Sequence, residues 1–124
     1  MKEIILTESA PAPIGPYSQA ILCGNTLYCS GQIPVEPLTG EVIQGGIEKQ
    51  TEKCCINIGE VLKQADFEYD NVIKTTCFLA DMNDFAAFNS VYAKYFTSKP
   101  ARSCVAVKQL PKNCLVEIEV IAVK

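Results

Sequence analysis

Residues 100–120, PARSCVAVKQLPKNCLVEIEV, contain two strand-like segments separated by a polar connection. Ser103–Val107 and Val116–Val123 are rich in β-branched side chains, which favour strands. The connection, KQLPKN, contains the proline and asparagine that are typical of turns. We therefore predict that the last two strands form a hairpin about Pro111 and Lys112.

Charged side chains interrupt these apolar strands. Arg102 stands at the start of the first strand, and Glu117 and Glu119 alternate with apolar residues in the second. In one register of the hairpin, Arg102 and Cys104 share a face with both glutamates. A one-residue slip places them on opposite faces. The sequence leaves both registers open.

Two interpretations account for the charges. In the structural one, Arg102 forms a salt bridge with a glutamate at the end of the sheet or at a subunit boundary. In the functional one, Arg102 binds a carboxylate or phosphate bidentately at the edge of a cleft, and a nearby glutamate holds or polarises a water molecule. The stretches IGPYSQA and CSGQIP favour the second interpretation, because Gly15 and Gly31 allow close approach of the backbone to a ligand and Tyr17 offers a hydroxyl.

Two segments have the apolar spacing of helices. The pattern predicts one helix over 47–65 and a second over 84–96, and Asp81 or Asn83 can cap the second. The second segment places five aromatic residues on one stripe, which we interpret as core packing: Phe85, Phe88, Tyr92, Tyr95 and Phe96.

The other apolar runs predict strands. They cover 2–6, 19–23, 26–30 and 72–80, with a tight turn at Gly24 and Asn25 and an extended loop over 31–46. We therefore predict one α+β domain spanning 1–124, with two helices packed on one face of a mixed, six-stranded sheet. The opposite face of the sheet is left bare, and an apolar bare face favours burial in a closed homo-oligomer.

Composition narrows the classes of function. The net charge is −3 and the eleven Lys and Arg are scattered, which argues against a nucleic-acid surface. No apolar run approaches the ~20 residues of a membrane span, and the N-terminus lacks a secretory apolar segment, so we expect a cytoplasmic protein. Seven cysteines without histidine favour buried thiols over a metal site and remove the usual Ser-His and Cys-His pairings.

Five motifs together carry a resemblance to a known family. They are IGPYSQA (14–20), SGQIP (30–34), NDF (83–85), PARSCV (100–105) and VEIEVIAV (116–123). In this combination and order the chain closely resembles the RidA (YjgF) family. The resemblance implies a chorismate-mutase-like α+β fold that assembles as a homotrimer, with ligand clefts at the subunit interfaces. It also implies cofactor-independent hydrolysis of reactive 2-imino or 2-enamino acids, such as 2-aminoacrylate (2-iminopropanoate) and 2-iminobutanoate, to 2-keto acids and ammonia.

The resemblance also assigns roles to individual residues. Arg102 matches the arginine that binds the substrate carboxylate, and Glu117 matches the glutamate that orders the attacking water. The other matched positions lie near the bound ligand: Tyr17, Asn89, the Ser30-Gly31 backbone and the Cys104 amide. One departure is Lys99, which stands where family members usually carry an aromatic residue before the PAR motif. This departure concerns the rim of the cleft, whereas the arginine is retained.

Other functions remain open from the sequence. Cys104 lies two residues after Arg102, and a nearby guanidinium favours a nucleophilic thiolate. A non-catalytic protein that binds 2-keto acids or another small metabolite and regulates an enzyme would use the same cleft. Some members of the family are labelled ribonucleases, and the acidic charge and the absence of histidine argue against RNA cleavage.

Overall fold

The computed structural model describes all 124 residues. Eight main elements follow one another along the chain: β1 (Lys2–Ile5), β2 (Ala20–Cys23), β3 (Thr26–Cys29), α1 (Gly46–Gln64), β4 (Val72–Leu79), α2 (Phe85–Tyr95), β5 (Ala101–Ala106) and β6 (Val116–Val123). The predicted turn at Gly24 and Asn25 joins β2 to β3, whose residues Cys23 and Thr26 are register partners. The predicted helices and strands are therefore present, with ends that differ by one to a few residues.

The strands form one sheet in the order β1-β2-β3-β6-β4-β5. All neighbours are antiparallel except β4 and β5, which are parallel and connected through α2. The predicted hairpin of the last two strands is wrong, because β4 lies between β5 and β6. The polar connection instead crosses the end of β4, where the Val107 amide donates to the Leu79 carbonyl and the Ala80 amide donates to the Leu115 carbonyl.

Both helices pack on the same face of the sheet. Four residues of β6 point into this layer with almost no exposed surface: Val116, Ile118, Val120 and Ala122. The α+β class and the mixed six-stranded sheet with two helices are as predicted. Cys54 and Cys55 are both fully buried, because α1 packs against β6 on one side and against α2 on another.

The aromatic stripe of the second helix lies in the core, as predicted. Phe88, Tyr92 and Phe96 are buried, and the Tyr92 and Phe96 ring centroids are 4.6 Å apart. The helix is preceded by a turn that Asp81 caps, since its carboxylate accepts from the Asn83 amide at 2.8 Å. The Asp81 cap and the aromatic stripe together determine which face of α2 packs against β4 and β5.

The other face of the sheet is uncovered within the protomer. Ile4, Tyr28 and Val105 point outward from it and are 63%, 51% and 48% exposed. Apolar side chains at this density favour burial against another molecule. Neither helix combines the length and the apolar character that a membrane crossing requires.

Candidate active site

Arg102 lies on the helix side of the edge strand β5. Its register partner in β4 is the buried Thr75, so its side chain points towards α2. Nη1 donates to Asn89 Oδ1 at 2.7 Å. The guanidinium carbon is 4.8 Å from the centroid of the Tyr92 ring and 5.5 Å from that of Phe85. Aromatic rings at this distance attract a cation, so the stripe that forms the core also holds Arg102 in place.

A cleft of about 480 Å³ opens beside this arginine. It is lined by Asn89, Thr97, Lys99, Pro100 and Arg102, together with neighbouring residues of α2. No carboxylate is part of the lining. Because Asn89 is a neutral acceptor, the remaining N–H groups of the guanidinium are available to a carboxylate.

Glu117 lies on the opposite, open face of the sheet. Its register partner is Phe78 in β4. A second cleft, of about 420 Å³, contains Glu117 with Tyr17, Ser30, Gly31 and Glu119. Four of the residues that the resemblance assigns to a ligand site therefore meet in this cleft: Tyr17, Ser30, Gly31 and Glu117.

Gly31 is required by the position of the Glu117 carboxylate. A Cβ atom at residue 31 would overlap with Glu117 Oε2 and would lie 2.9 Å from Cδ. The absence of a side chain at Gly31 thus makes room for the Glu117 carboxylate. A backbone bridge fixes the pair, because the Gln32 amide donates to the Ile118 carbonyl at 2.8 Å and the Ile118 amide donates back at 3.1 Å.

Gln19 organises the loop that carries Tyr17, a role that sequence reasoning missed. It is buried, and its Nε2 donates to the carbonyls of Pro11 and Thr7 at 2.9 and 3.0 Å. Its Oε1 accepts from the Thr7 amide at 2.7 Å. The available signal in the sequence was a polar residue at the start of the apolar run QAILC (19–23). Ser30 is also held, since its hydroxyl donates to the Ser18 carbonyl at 2.6 Å.

The pKa values of Glu117 and Cys104 are both raised above the usual values of their side chains. Burial raises the pKa of Glu117, and the neighbouring Glu119 raises it further. Burial also raises the pKa of Cys104, and Arg102 opposes this effect only in part. The raised pKa disfavours a nucleophilic thiolate at Cys104.

Arg102 and Glu117 do not meet within one protomer. Their partners in β4, Thr75 and Phe78, are an odd number of residues apart, so the two side chains lie on opposite faces. The ion pairs of the protomer are Lys53–Glu36 and Lys124–Asp66. The interpretation in which Arg102 forms a salt bridge with a glutamate of the same protomer is therefore wrong. No three Cys, Asp or Glu side chains converge in an arrangement that could hold a metal ion.

An arginine cleft on one face and a glutamate cleft on the other define a small-molecule-binding domain built on a six-stranded α+β fold. The model of the endoribonuclease L-PSP family matches residues 7–124. The chain therefore belongs to the endoribonuclease L-PSP family, which is the RidA (YjgF) family indicated by its motifs.

Individual relatives match along the whole chain. A RutC family protein from Pyrococcus horikoshii is 56% identical, over 100% of this chain and 99% of its own. The 2-iminobutanoate/2-iminopropanoate deaminase of Capra hircus is 49% identical, over 100% of this chain and 91% of its own. The crystal structure of Escherichia coli TdcF with bound serine superimposes with a TM-score of 0.94 at 41% identity, covering 98% of each chain.

Proposed function

We propose that the protein is a cofactor-independent deaminase that hydrolyses 2-imino and 2-enamino acids, such as 2-iminopropanoate and 2-iminobutanoate, to 2-keto acids and ammonia. The observation that carries the proposal is the Arg102 cleft, where a guanidinium with free N–H groups has no acidic partner. The name of the goat relative and the serine bound to TdcF support it. Serine shares with these substrates a carboxylate next to a carbon that bears nitrogen.

In the proposed reaction, Arg102 binds the substrate carboxylate and fixes the position of C2. A water molecule held by Glu117 adds to C2, so an O–C2 bond forms while the π electrons of the C=N bond move to nitrogen. Glu117 accepts the proton from water and returns it to nitrogen. Glu117 then carries the proton of the new hydroxyl group to nitrogen, the O–H electron pair forms the C=O bond as the C–N bond breaks, and ammonia and the 2-keto acid leave. Because an imine carbon is already electrophilic, positioning and modest proton transfer suffice.

The proposed site requires a second copy of the chain. Arg102 and Glu117 lie on opposite faces of one sheet, so a complete site combines the arginine of one protomer with the glutamate of another. The two clefts have complementary charge, and the uncovered apolar face lies beside the Glu117 cleft. A contact between two different surfaces generates a ring when the rotation closes. We propose a homotrimer with a cleft at each subunit interface.

A second reaction class is less consistent with these sites. The family model is described as an endoribonuclease. The chain carries a net charge of −3 and contains no histidine, the residue that most often performs proton transfer in enzymes. Neither cleft combines a run of cations with a proton donor that would suit an RNA backbone.

The function is tested by generating 2-iminobutanoate in situ with a threonine dehydratase. Semicarbazide traps the imine, so a hydrolase lowers the amount of trapped imine and raises the release of 2-ketobutanoate. We expect this shift to increase in proportion to the protein added. If the rate does not change but 2-ketobutanoate binds in calorimetry, the protein is a metabolite-binding regulator and the enzymatic proposal is wrong.

Gly31→Ala is expected to remove most of the activity without unfolding the protein. The added methyl group displaces the Glu117 carboxylate, whereas the backbone at residue 31 does not have the positive φ that would disfavour alanine. A misplaced catalytic group costs on the order of 10²-fold in rate. We would measure kcat/KM and thermal unfolding together, with Gly24→Ala as a strained control at φ 62°, in the β2–β3 turn near the opposite end of β6 from Glu117. Full activity in Gly31→Ala would contradict the assigned position of Glu117.

Glu119→Gln is expected to shift the pH dependence of the reaction to lower pH. The Glu119 charge raises the pKa of Glu117, so its removal lowers that pKa. Because the proposed base is the ionised form of Glu117, the acidic limb of the kcat/KM profile moves down the pH scale. Glu117→Gln should instead abolish activity at every pH. If Glu119→Gln is inactive and Glu117→Gln is active, the roles of the two glutamates are exchanged.

A further inference from the structure

The cleft around Arg102 contains two cations. Arg102 and Lys99 both line it, and the remaining lining residues are neutral. The volume of about 480 Å³ accommodates a small organic acid with room beyond its first carboxylate. Cationic side chains gathered in a concave site raise the local concentration of anions, and more strongly for anions of higher charge.

Neither cation is neutralised within the protomer. Arg102 donates to the uncharged Asn89 side chain, and Lys99 is part of neither ion pair of the chain. The position of Lys99 is set by the backbone. Its φ of 58° is left-handed, and its amide donates to the Phe96 carbonyl at 3.2 Å just beyond the end of α2. Lys99 is thus a fixed point on the rim of the cleft.

The spacing of the two cations suits a ligand with two anionic ends. Lys99 and Arg102 are three residues apart, and a chain spans at most about 3.3–3.6 Å per residue, so their Cα atoms are no more than about 10 Å apart. Both side chains are long, and both line the same cleft. A monocarboxylate that binds Arg102 leaves the ammonium group of Lys99 without a partner.

We propose that Lys99 determines specificity by binding a second carboxylate, so that the protein favours dicarboxylic 2-imino acids such as 2-iminosuccinate and 2-iminoglutarate. The inference rests on the proposed hydrolysis at the same site. The C1 carboxylate binds Arg102, which places C2 for the attack of water. The side-chain carboxylate extends towards the rim and pairs with Lys99.

The test is the selectivity of Lys99→Met. An L-glutamate oxidase with catalase supplies 2-iminoglutarate, and a threonine dehydratase supplies 2-iminobutanoate. Competition with semicarbazide gives kcat/KM for each. We expect the ratio of kcat/KM, 2-iminoglutarate to 2-iminobutanoate, to fall about twofold to fivefold in Lys99→Met, the effect of one exposed ion pair. Added salt should lower the wild-type ratio in the same direction, because it screens this pair.

Two matched variants control the measurement. Lys99→Arg keeps the charge and should keep the high ratio. Lys94→Met removes an exposed lysine of α2 that lines a different groove, and should leave the ratio unchanged. Methionine and lysine meet the same constraint at a φ of 58°, so a change in folding is not expected.

The outcomes separate this inference from the function on which it rests. If the wild-type protein hydrolyses neither imine, the proposed function fails. If it hydrolyses 2-iminobutanoate and the ratio is the same in wild type and Lys99→Met, the role of Lys99 is wrong. The same conclusion holds if Lys99→Met only weakens subunit association, because Lys99 then serves the interface.

Discussion

Arg102→Ala is expected to lower kcat/KM for imine hydrolysis by about 10²-fold to 10³-fold and to leave the proposed oligomer intact. Loss of one partner of a desolvated, hydrogen-bonded charge pair costs about 2–5 kcal/mol, and about 1.4 kcal/mol corresponds to a tenfold change. The arginine makes one hydrogen bond within the protomer, to Asn89, and contacts aromatic rings that also pack against one another. The core therefore retains its packing without it.

Arg102→Met and Arg102→Lys distinguish the contribution of the side chain's packing from that of its charge. Methionine keeps an unbranched apolar chain over the Tyr92 and Phe85 rings, so Arg102→Met should be as inactive as Arg102→Ala and closer to wild type in thermal stability. Lysine keeps the charge without the planar fork and should recover part of the activity. Size-exclusion chromatography with light scattering reports the assembly. If Arg102→Ala is monomeric, Arg102 serves as a structural ion pair between subunits, and its catalytic role is wrong.

Mixed oligomers of two inactive variants are expected to regain activity. When Arg102→Ala and Glu117→Gln are unfolded together and refolded at equal amounts, some clefts receive Arg102 from one protomer and Glu117 from the other. In a ring with random incorporation, about one quarter of the clefts contain both native residues. Activity should therefore rise from near zero to about a quarter of the wild-type value. The physical reason is the placement of the two side chains on opposite faces of the sheet.

The control is a mixture of Arg102→Ala with Arg102→Met. Both variants damage the same cleft, so no combination of their protomers restores a site, and activity should stay near zero. Refolded wild-type protein provides the reference for losses during the procedure. If Arg102→Ala and Glu117→Gln do not complement each other although mass spectrometry detects mixed oligomers, the site does not combine two protomers.

Local features of the fold were predictable from the sequence, and pairing between distant strands was not. The helix Gly46–Gln64 follows from apolar spacing, and the turn that leads into Phe85–Tyr95 follows from the Asp81 cap. These signals act within a few residues. The position of β4 between β5 and β6 depends instead on contacts across the sheet and on the passage of α2. A polar connection with Pro111 resembles a hairpin turn whether or not its flanking strands are neighbours.

In the candidate site, too, local features were predictable from the sequence and contacts between distant strands were not. The motifs marked Arg102 and Glu117, but alternation along a strand left two registers open, and only the pairing with β4 places these residues on opposite faces. The aromatic residues were recognised as core, yet their contact with the guanidinium depends on the position of β5 beside β4. Gly31 was expected to approach a ligand and approaches the Glu117 carboxylate, because loop 31–46 begins with a bridge to Ile118.

The partial burial of Cys104 has a consequence for the proposed reaction, because an imine is an electrophile. Its sulfur lies on the same strand and face as Arg102, next to the cleft in which we place an electrophilic imine. A thiolate there would compete with water for C2 and would leave the enzyme modified by its own substrate. Because burial raises the pKa of Cys104, the sulfur remains a poor nucleophile. If the proposed activity is correct, the packing at the β4–β5 edge would thus also protect the protein from its own substrate.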